Sequence, residues 1–293
     1  MPPALVGVNA KGPAAAAPLV PVFTLSDWLL VCGKVVEMTL GTRLRRAGRC
    51  RPLLTKAGRC TVCGRPSLFL VTDLKGIREN AWCIGCGSSA RNRHVAKCVV
   101  EALSGFGVAR FTDLATTQSL SIYNMSAQGC FARVWGRRPH ITYSEYFDDA
   151  PSGECREGIL CQNVEQLSFD DSSFDLVVSE DVFEHVRDYR KGFWEVRRVL
   201  KLGGRHIFSV PIGLSHPTFP RFGAEQGKEV PILPLEYHGD PSRGQIPVRT
   251  SFGYDLLGFL ESLGFEARLE MPRYEEACRF GTFDCATFVT SKA

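Results

Sequence analysis

The chain has 293 residues, a formal net charge of +4, 44% hydrophobic residues and 23% charged residues. This composition excludes extended disorder or collagen-like repetition as a reading of the whole chain. The most apolar N-terminal stretch, Leu19 to Leu40, is broken by Asp27, Lys34 and Glu37, so no membrane span is expected. Charge is uneven: residues 1–110 carry 16 Lys and Arg against 5 Asp and Glu, and the remainder carries 19 against 26. Two regions with different tasks are expected, the basic one suited to anions or nucleic acid, or simply a solvated face.

Residues 1–18, rich in Ala, Pro and Gly, read as disordered. Met1 to Ala17 has no basic segment followed by an apolar core, so no export signal is expected and the compartment is read as cytoplasmic, with reduced thiols. Ser26 is placed to cap a helix over Asp27 to Leu40. Trp28, Val31, Val35 and Met38 form its stripe and Gly41 its stop. Residues 1–59 read as an N-terminal extension. It ends in a basic linker that carries Arg43, Arg45, Arg46, Arg49, Arg51, Lys56 and Arg59 without an acid.

The chain has twelve cysteines, and four of them are paired by spacing. Cys60 and Cys63 form one CxxC knuckle, and Cys83 and Cys86 a second, separated from it by 19 residues. Two knuckles let four sulfurs converge on one ion, and Gly64 and Gly87 permit the tight turns behind them. A small zinc-binding module over 60–98 is expected, its closed four-thiolate site structural. Iron fits the same donor set. Arg91, Arg93, His94 and Lys97 follow on an expected helix, either to bind an anion or to cap and solvate the module.

From Ser119 onward, short β-branched runs alternate with helical stretches, the texture of an α/β domain with a mostly parallel sheet. Strands are expected at Leu120 to Tyr123, His140 to Tyr143, Gly158 to Gln162, Phe174 to Ser179, Arg205 to Val210, Phe265 to Met271 and Cys285 to Thr290. Helices are expected over Tyr189 to Lys201, stopped by Gly203 and Gly204, and over Tyr254 to Leu263, stopped by Gly264. The long Pro-rich segment from Pro211 to Pro247 reads as a functional loop. It holds His216, and Glu236 to Asp240 (EYHGD) within it is dense enough in polar groups to line a pocket.

Two runs are more specific. Ser168 to Val186 reads SFDDSSFDLVVSEDVFEHV, and Glu195 to Gly204 reads EVRRVLKLGG before a strand. Together they resemble class I S-adenosylmethionine-dependent methyltransferases, of the methyltransferase type 11 kind, over about Ser119 to Thr290. The resemblance implies a methyltransferase domain over 110–293. Its expected fold is a Rossmann-like doubly wound sheet, mostly parallel with an antiparallel C-terminal strand, and the cofactor is S-adenosyl-L-methionine. It puts Glu145, just past the second strand, on the ribose diol, and Asn163 and Val164 at the adenine. Tyr123, Asn124, Ser126, Gly129 and Ser179, around the first loop and the fourth strand tip, complete the cofactor-binding set that the resemblance implies. The first loop, LSIYNMSAQG from Leu120 to Gly129, departs from the family in having one glycine.

A base is needed only if the acceptor must lose a proton. His185, His238 and Asp240 are the candidates. The acceptor is read as a small molecule or a glycan- or lipid-type compound, with nucleic acid admitted through the basic N-terminal region. That region lacks the interleaved aromatics of single-strand binders. Two rivals stand beside this reading. One is a nucleic-acid-binding module carrying a degenerate, non-catalytic methyltransferase-like domain. The other is a methyltransferase whose zinc module selects a nucleic-acid acceptor.

Overall fold

The computed structural model describes residues 54–72, 76–240, 243–273, 275 and 285–293. The expected helix over Asp27 to Leu40, and the linker before Leu54, lie outside the described residues. The last linker residues form a strand, β1 (Leu54–Arg59), which pairs antiparallel with β2 (Pro66–Val71). A short β3 (Trp82–Cys83) completes this small sheet. Helix α1 (Ala90–Ala102) follows, capped by Ser89 in a reciprocal box with Asn92.

The large sheet has eight strands. Its parallel centre is β4 (Ile122–Asn124), β5 (Ile141–Glu145), β7 (Ile159–Cys161), β8 (Phe174–Glu180) and β9 (Leu200–Ser209). A two-residue β6 (Cys155–Arg156) and the C-terminal β18 (Thr287–Lys292) run antiparallel to their neighbours. With β17 (Phe265–Glu270) at the far edge, the order is β17-β18-β9-β8-β4-β5-β7-β6. This is the doubly wound sheet with an antiparallel C-terminal strand that the sequence implied. The chain leaves β4 for β5 on one side and returns as β8 on the other, so the order reverses at β4, where ligands of such sheets bind.

The strands bury both faces because their residues are apolar on both. Leu176, Val178 and Ile207 join a core with α1, α2 (Cys130–Trp135) and the cysteine segment. Val177, Phe208 and Phe288 join a second core with α3 (Tyr189–Val199) and α4 (Leu256–Ser262). The first core runs unbroken from Cys60 and Phe69 to Leu176 and Val289.

Most strand and helix ends shift by a residue or two from expectation, and the largest change is at the end of α3. α3 stops at Val199, because Leu200 turns extended and already pairs with Phe174 across the sheet. β9 therefore begins five residues before Arg205, and Gly203 (φ 71°) sits within it beside the register shift against β8. The Pro-rich segment is not a loop. It forms β10 (Ile212–Gly213) and β11 (Phe219–Pro220) on either side of β16 (Thr250–Gly253). Two hairpins complete it, β12 (Phe222–Glu225) with β13 (Lys228–Pro231) and β14 (Tyr237–Asp240) with β15 (Gly244–Pro247). Prolines stand at strand ends, where a missing N–H costs no ladder bond.

Candidate functional site

A cleft of 380 Å³ opens at the carboxyl ends of β4, β5 and β7, within the range of small-molecule sites. Tyr123 and Ser144 lie at its floor, joined by a 2.7 Å hydroxyl–hydroxyl bond. Glu145, Asn163 and Val164 line one side, and His185 and the β14–β15 hairpin line the other through Ile246 and Pro247.

The first loop makes its turn with side chains where glycines are absent. Asn124 Nδ2 donates to the Ser126 carbonyl (2.6 Å), and Ser126 Oγ accepts the Gly129 N–H (3.2 Å). Glu145 Oε1 accepts the Ala127 N–H at 2.8 Å and the Ser126 hydroxyl at 3.3 Å. Gly129 starts α2 at φ −67°, so it is not there for a left-handed turn. Burial pushes the Glu145 carboxyl up, and the Ala127 N–H works against that. The Asn163 amide oxygen accepts the Glu165 N–H (3.0 Å). Ser179 lies off the cleft lining, bonded in the sheet to His206 Nε2 at 2.8 Å.

Three groups meet beside the cleft. The carbonyl of Pro247 accepts from His185 Nδ1 at 2.8 Å, which leaves Nε2 to face Glu184 Oε1 at 3.6 Å. His238 Nδ1 stands 3.4 Å from the same oxygen. Glu184 is 1% exposed, and neither carboxylate oxygen has a hydrogen-bond partner. Burial and the Asp181 charge push the Glu184 carboxyl up, and contact with Glu184 pushes His238 up. Asp240 lies at the hairpin turn, accepting the Arg243 N–H at 2.7 Å. His216 bonds to the Pro217 carbonyl and is not part of the cleft lining.

The four cysteines converge. Cys60 and Cys86 sulfurs are 3.8 Å apart, Cys63 and Cys83 sulfurs 3.9 Å, and all four lie within 4.8 Å of one another. A tetrahedral ion with bonds of about 2.3 Å spaces its sulfurs about 3.8 Å apart. Gly64 (φ 70°) and Gly87 (φ 72°) make the left-handed turns behind the knuckles. Hydroxyls support the sulfurs, Ser67 on Cys83 at 3.0 Å and Ser88 on Cys60 at 3.3 Å. The donor set and spacing fit one tetrahedral ion.

The arginines after the knuckles turn inward, and α1 does not present them as a solvated face. Arg93 donates to the Ala81 and Ser88 carbonyls and lies over the Phe69 ring. Arg91 reaches Glu79, Glu180 and Asp181. Arg78 grips Asp181 with both terminal nitrogens, at 2.5 and 2.6 Å. Burial alone would raise Asp181, but Arg91 and Arg78 hold its carboxyl well below the usual range. Asp181 adopts φ 52° directly after β8, and Ser209 donates to it at 2.9 Å. This buried network ties the cysteine segment to the β8 tip three residues before Glu184. Sequence reasoning missed Arg78, Asp181 and Glu184. The available signal was the acidic run Glu180-Asp181 beside Glu184-His185, directly after the clearest strand.

Residues 104–208 match the family model described as a methyltransferase domain. A curated relative, an uncharacterized protein of Methanocaldococcus jannaschii, is 44% identical over 55 residues, 19% of this chain. The matched segment spans 24% of that relative's length. Among solved structures, an S-adenosylmethionine-dependent methyltransferase of Mesorhizobium loti aligns over 59% of this chain and 91% of its own, at 18% identity and a TM-score of 0.37. One from Listeria monocytogenes aligns over the same shares at 13% identity and a TM-score of 0.38. No helix among the described residues is long and apolar enough to cross a membrane.

Proposed function

We propose that this protein, whose α/β domain is that of a class I S-adenosylmethionine-dependent methyltransferase, transfers a methyl group to a small-molecule or glycan- or lipid-type acceptor bound in the cleft. The observation that carries the reading is Glu145. It ends β5 beside the reversal of strand order, its carboxylate lines the cleft, and the first loop is tied to it. The cofactor brings an activated methyl group on a sulfonium. This chain's part is then alignment, which is worth several kcal/mol when reacting atoms are held in line. Glu145 offers acceptors for a ribose diol, Val164 an apolar face for adenine, and Asn163 polar groups beside it. His185, with His238 and Asp240 behind it on the hairpin, faces the acceptor end.

The four-cysteine cluster is read as a structural zinc site, since four thiolates leave no open position for water or substrate. The nucleic-acid reading loses support from Arg91 and Arg93, which face inward and not toward a ligand.

Calorimetric titration with S-adenosylmethionine tests the reading. The wild type should bind with a Kd below about 1 mM. Glu145→Ala should weaken binding by about 1.5–3 kcal/mol, the range for a hydrogen bond to a charged group. Glu145→Gln keeps an acceptor for the Ala127 N–H and should fall between. A folded alanine variant with unchanged Kd removes Glu145 from the cofactor site. His185→Ala should spare cofactor binding and lower turnover about 100-fold or more, the scale of a group acting on the acceptor's proton. Loss of cofactor affinity in that variant would instead make His185 a packing residue.

A further inference from the structure

We propose that Glu184, His185 and His238 hold a divalent transition-metal ion at the acceptor end of the cleft, distinct from the four-cysteine site. Three observations carry it. The first is geometric. A tetrahedral zinc with ligands about 2.1 Å away spaces neighbouring donor atoms about 3.4 Å apart. His238 Nδ1 and His185 Nε2 stand 3.4 and 3.6 Å from Glu184 Oε1, and the three donors lie within 4.8 Å of one another.

The second is hydrogen-bond accounting. The Pro247 carbonyl can only accept, so His185 Nδ1 carries the proton in that bond. That leaves Nε2 as the ring's free ligand atom, directed at a carboxylate oxygen. An Nε2 lone pair and a carboxylate oxygen facing each other at 3.6 Å call for a proton or a metal ion between them, and the spacing suits the ion. The third is burial. Glu184 is a carboxyl at 1% exposure whose two oxygens lack a well-formed hydrogen bond, an arrangement that costs several kcal/mol unless a proton, the His238 imidazolium or a metal ion compensates it.

Two imidazoles and one carboxylate leave an ion with open positions, the pattern of a working site and not of a closed structural one. His185 lines the cleft, so the open positions are available to a ligand there. Resting on the methyl-transfer reading, the ion coordinates an oxygen of the acceptor, which points to hydroxyl or enolic acceptors. The ion would lower the pKa of that oxygen, the proton would leave to solvent, and the oxygen would bond to the methyl carbon as the carbon–sulfur bond of the sulfonium breaks, its electron pair staying on sulfur to leave a neutral thioether. His185 then acts on the acceptor's proton through the ion that it helps to hold.

The experiment uses the full chain as purified, with its metal counted by elemental analysis, titrated with Zn²⁺ in a calorimeter. One equivalent beyond the four-cysteine ion is expected. His238→Ala and Glu184→Gln should weaken that extra equivalent 100-fold or more, while the tightly held ion stays. His238 sits on a surface hairpin, so its variant decides the matter if the Glu184 variant fails to fold. No extra equivalent, or equal binding by His238→Ala, overturns the site and leaves Glu184 and His238 as an ion pair. Zinc binding is read without cofactor, so failure here leaves the methyl-transfer reading standing, and failure of cofactor binding leaves the zinc count standing.

Discussion

Cys83→Ser should lower the melting temperature of the whole described chain in a single transition, by about 10 °C or more. The reason is the shared core. Cys60, Val62, Phe69 and Cys83 belong to the same buried cluster as Ile122, Leu176 and Val289. The four sulfurs crowd within 4.8 Å of one another, so a bound cation relieves their mutual repulsion as thiolates. Structural zinc contributes about 10–16 kcal/mol of apparent binding energy to the folds that need it. Losing a third of that is about 4 kcal/mol, and each kcal/mol shifts a domain of this size by about 2–4 °C. Calorimetry on Cys83→Ser, and on wild type with chelator, checks it. Cys155→Ser, at an exposed position, is the control. Two resolved transitions, with the α/β part melting as in wild type, would sink the claim that one core joins both.

That join also connects the cysteine segment to the site. Arg78 and Arg91 come from this segment and hold Asp181, which holds the turn that presents Glu184. A loosened knuckle is therefore felt at the acceptor end without contact with it. This gives the segment a physical task that composition alone does not suggest.

The large sheet was legible because its signals are local. Phe174 to Glu180 is apolar on both faces, and burial on both faces is what a central parallel strand requires. The cysteine knuckles were legible because spacing dictates convergence. The Pro-rich segment was not, because its hairpins are short, exposed and pinned by contacts distant in sequence, such as Arg249 N–H to the Glu184 carbonyl at 2.6 Å. The first loop was opaque for a related reason. Its turn is closed by Glu145, 18 residues beyond Ala127, a contact that a glycine count cannot show. Glu184 was hidden by its neighbour: a His in a motif draws the eye, and only the structure places a buried, unbonded carboxylate next to it.

His206 should give the chain a steep acid limb. Its imidazole is fully buried between β8 and β18, stacked on Phe208, and burial holds it neutral with its pKa pushed down to about 3. In the unfolded chain the ordinary value is about 6.5. Between these two values the unfolded state binds the proton and the folded state refuses it. Stability on this account is complete above pH 6.5 and is lost as pH falls toward 3, by up to about 1.4 kcal/mol per pH unit. His206→Gln keeps a group for the Ser179 hydroxyl and cannot titrate. It should stabilise nothing at pH 7 and flatten the slope of unfolding free energy against pH from 6 to 4 by about one proton. Glu145 and Glu184, whose carboxyls are raised by burial, bend the wild-type curve the other way, because the folded state then binds the extra proton. The difference between variant and wild type isolates His206 from them. Urea titrations at pH 4, 5, 6 and 7 supply it. Parallel slopes would mean that the ring is protonated or hydrated in the folded sheet, which would contradict a side chain with no exposed surface.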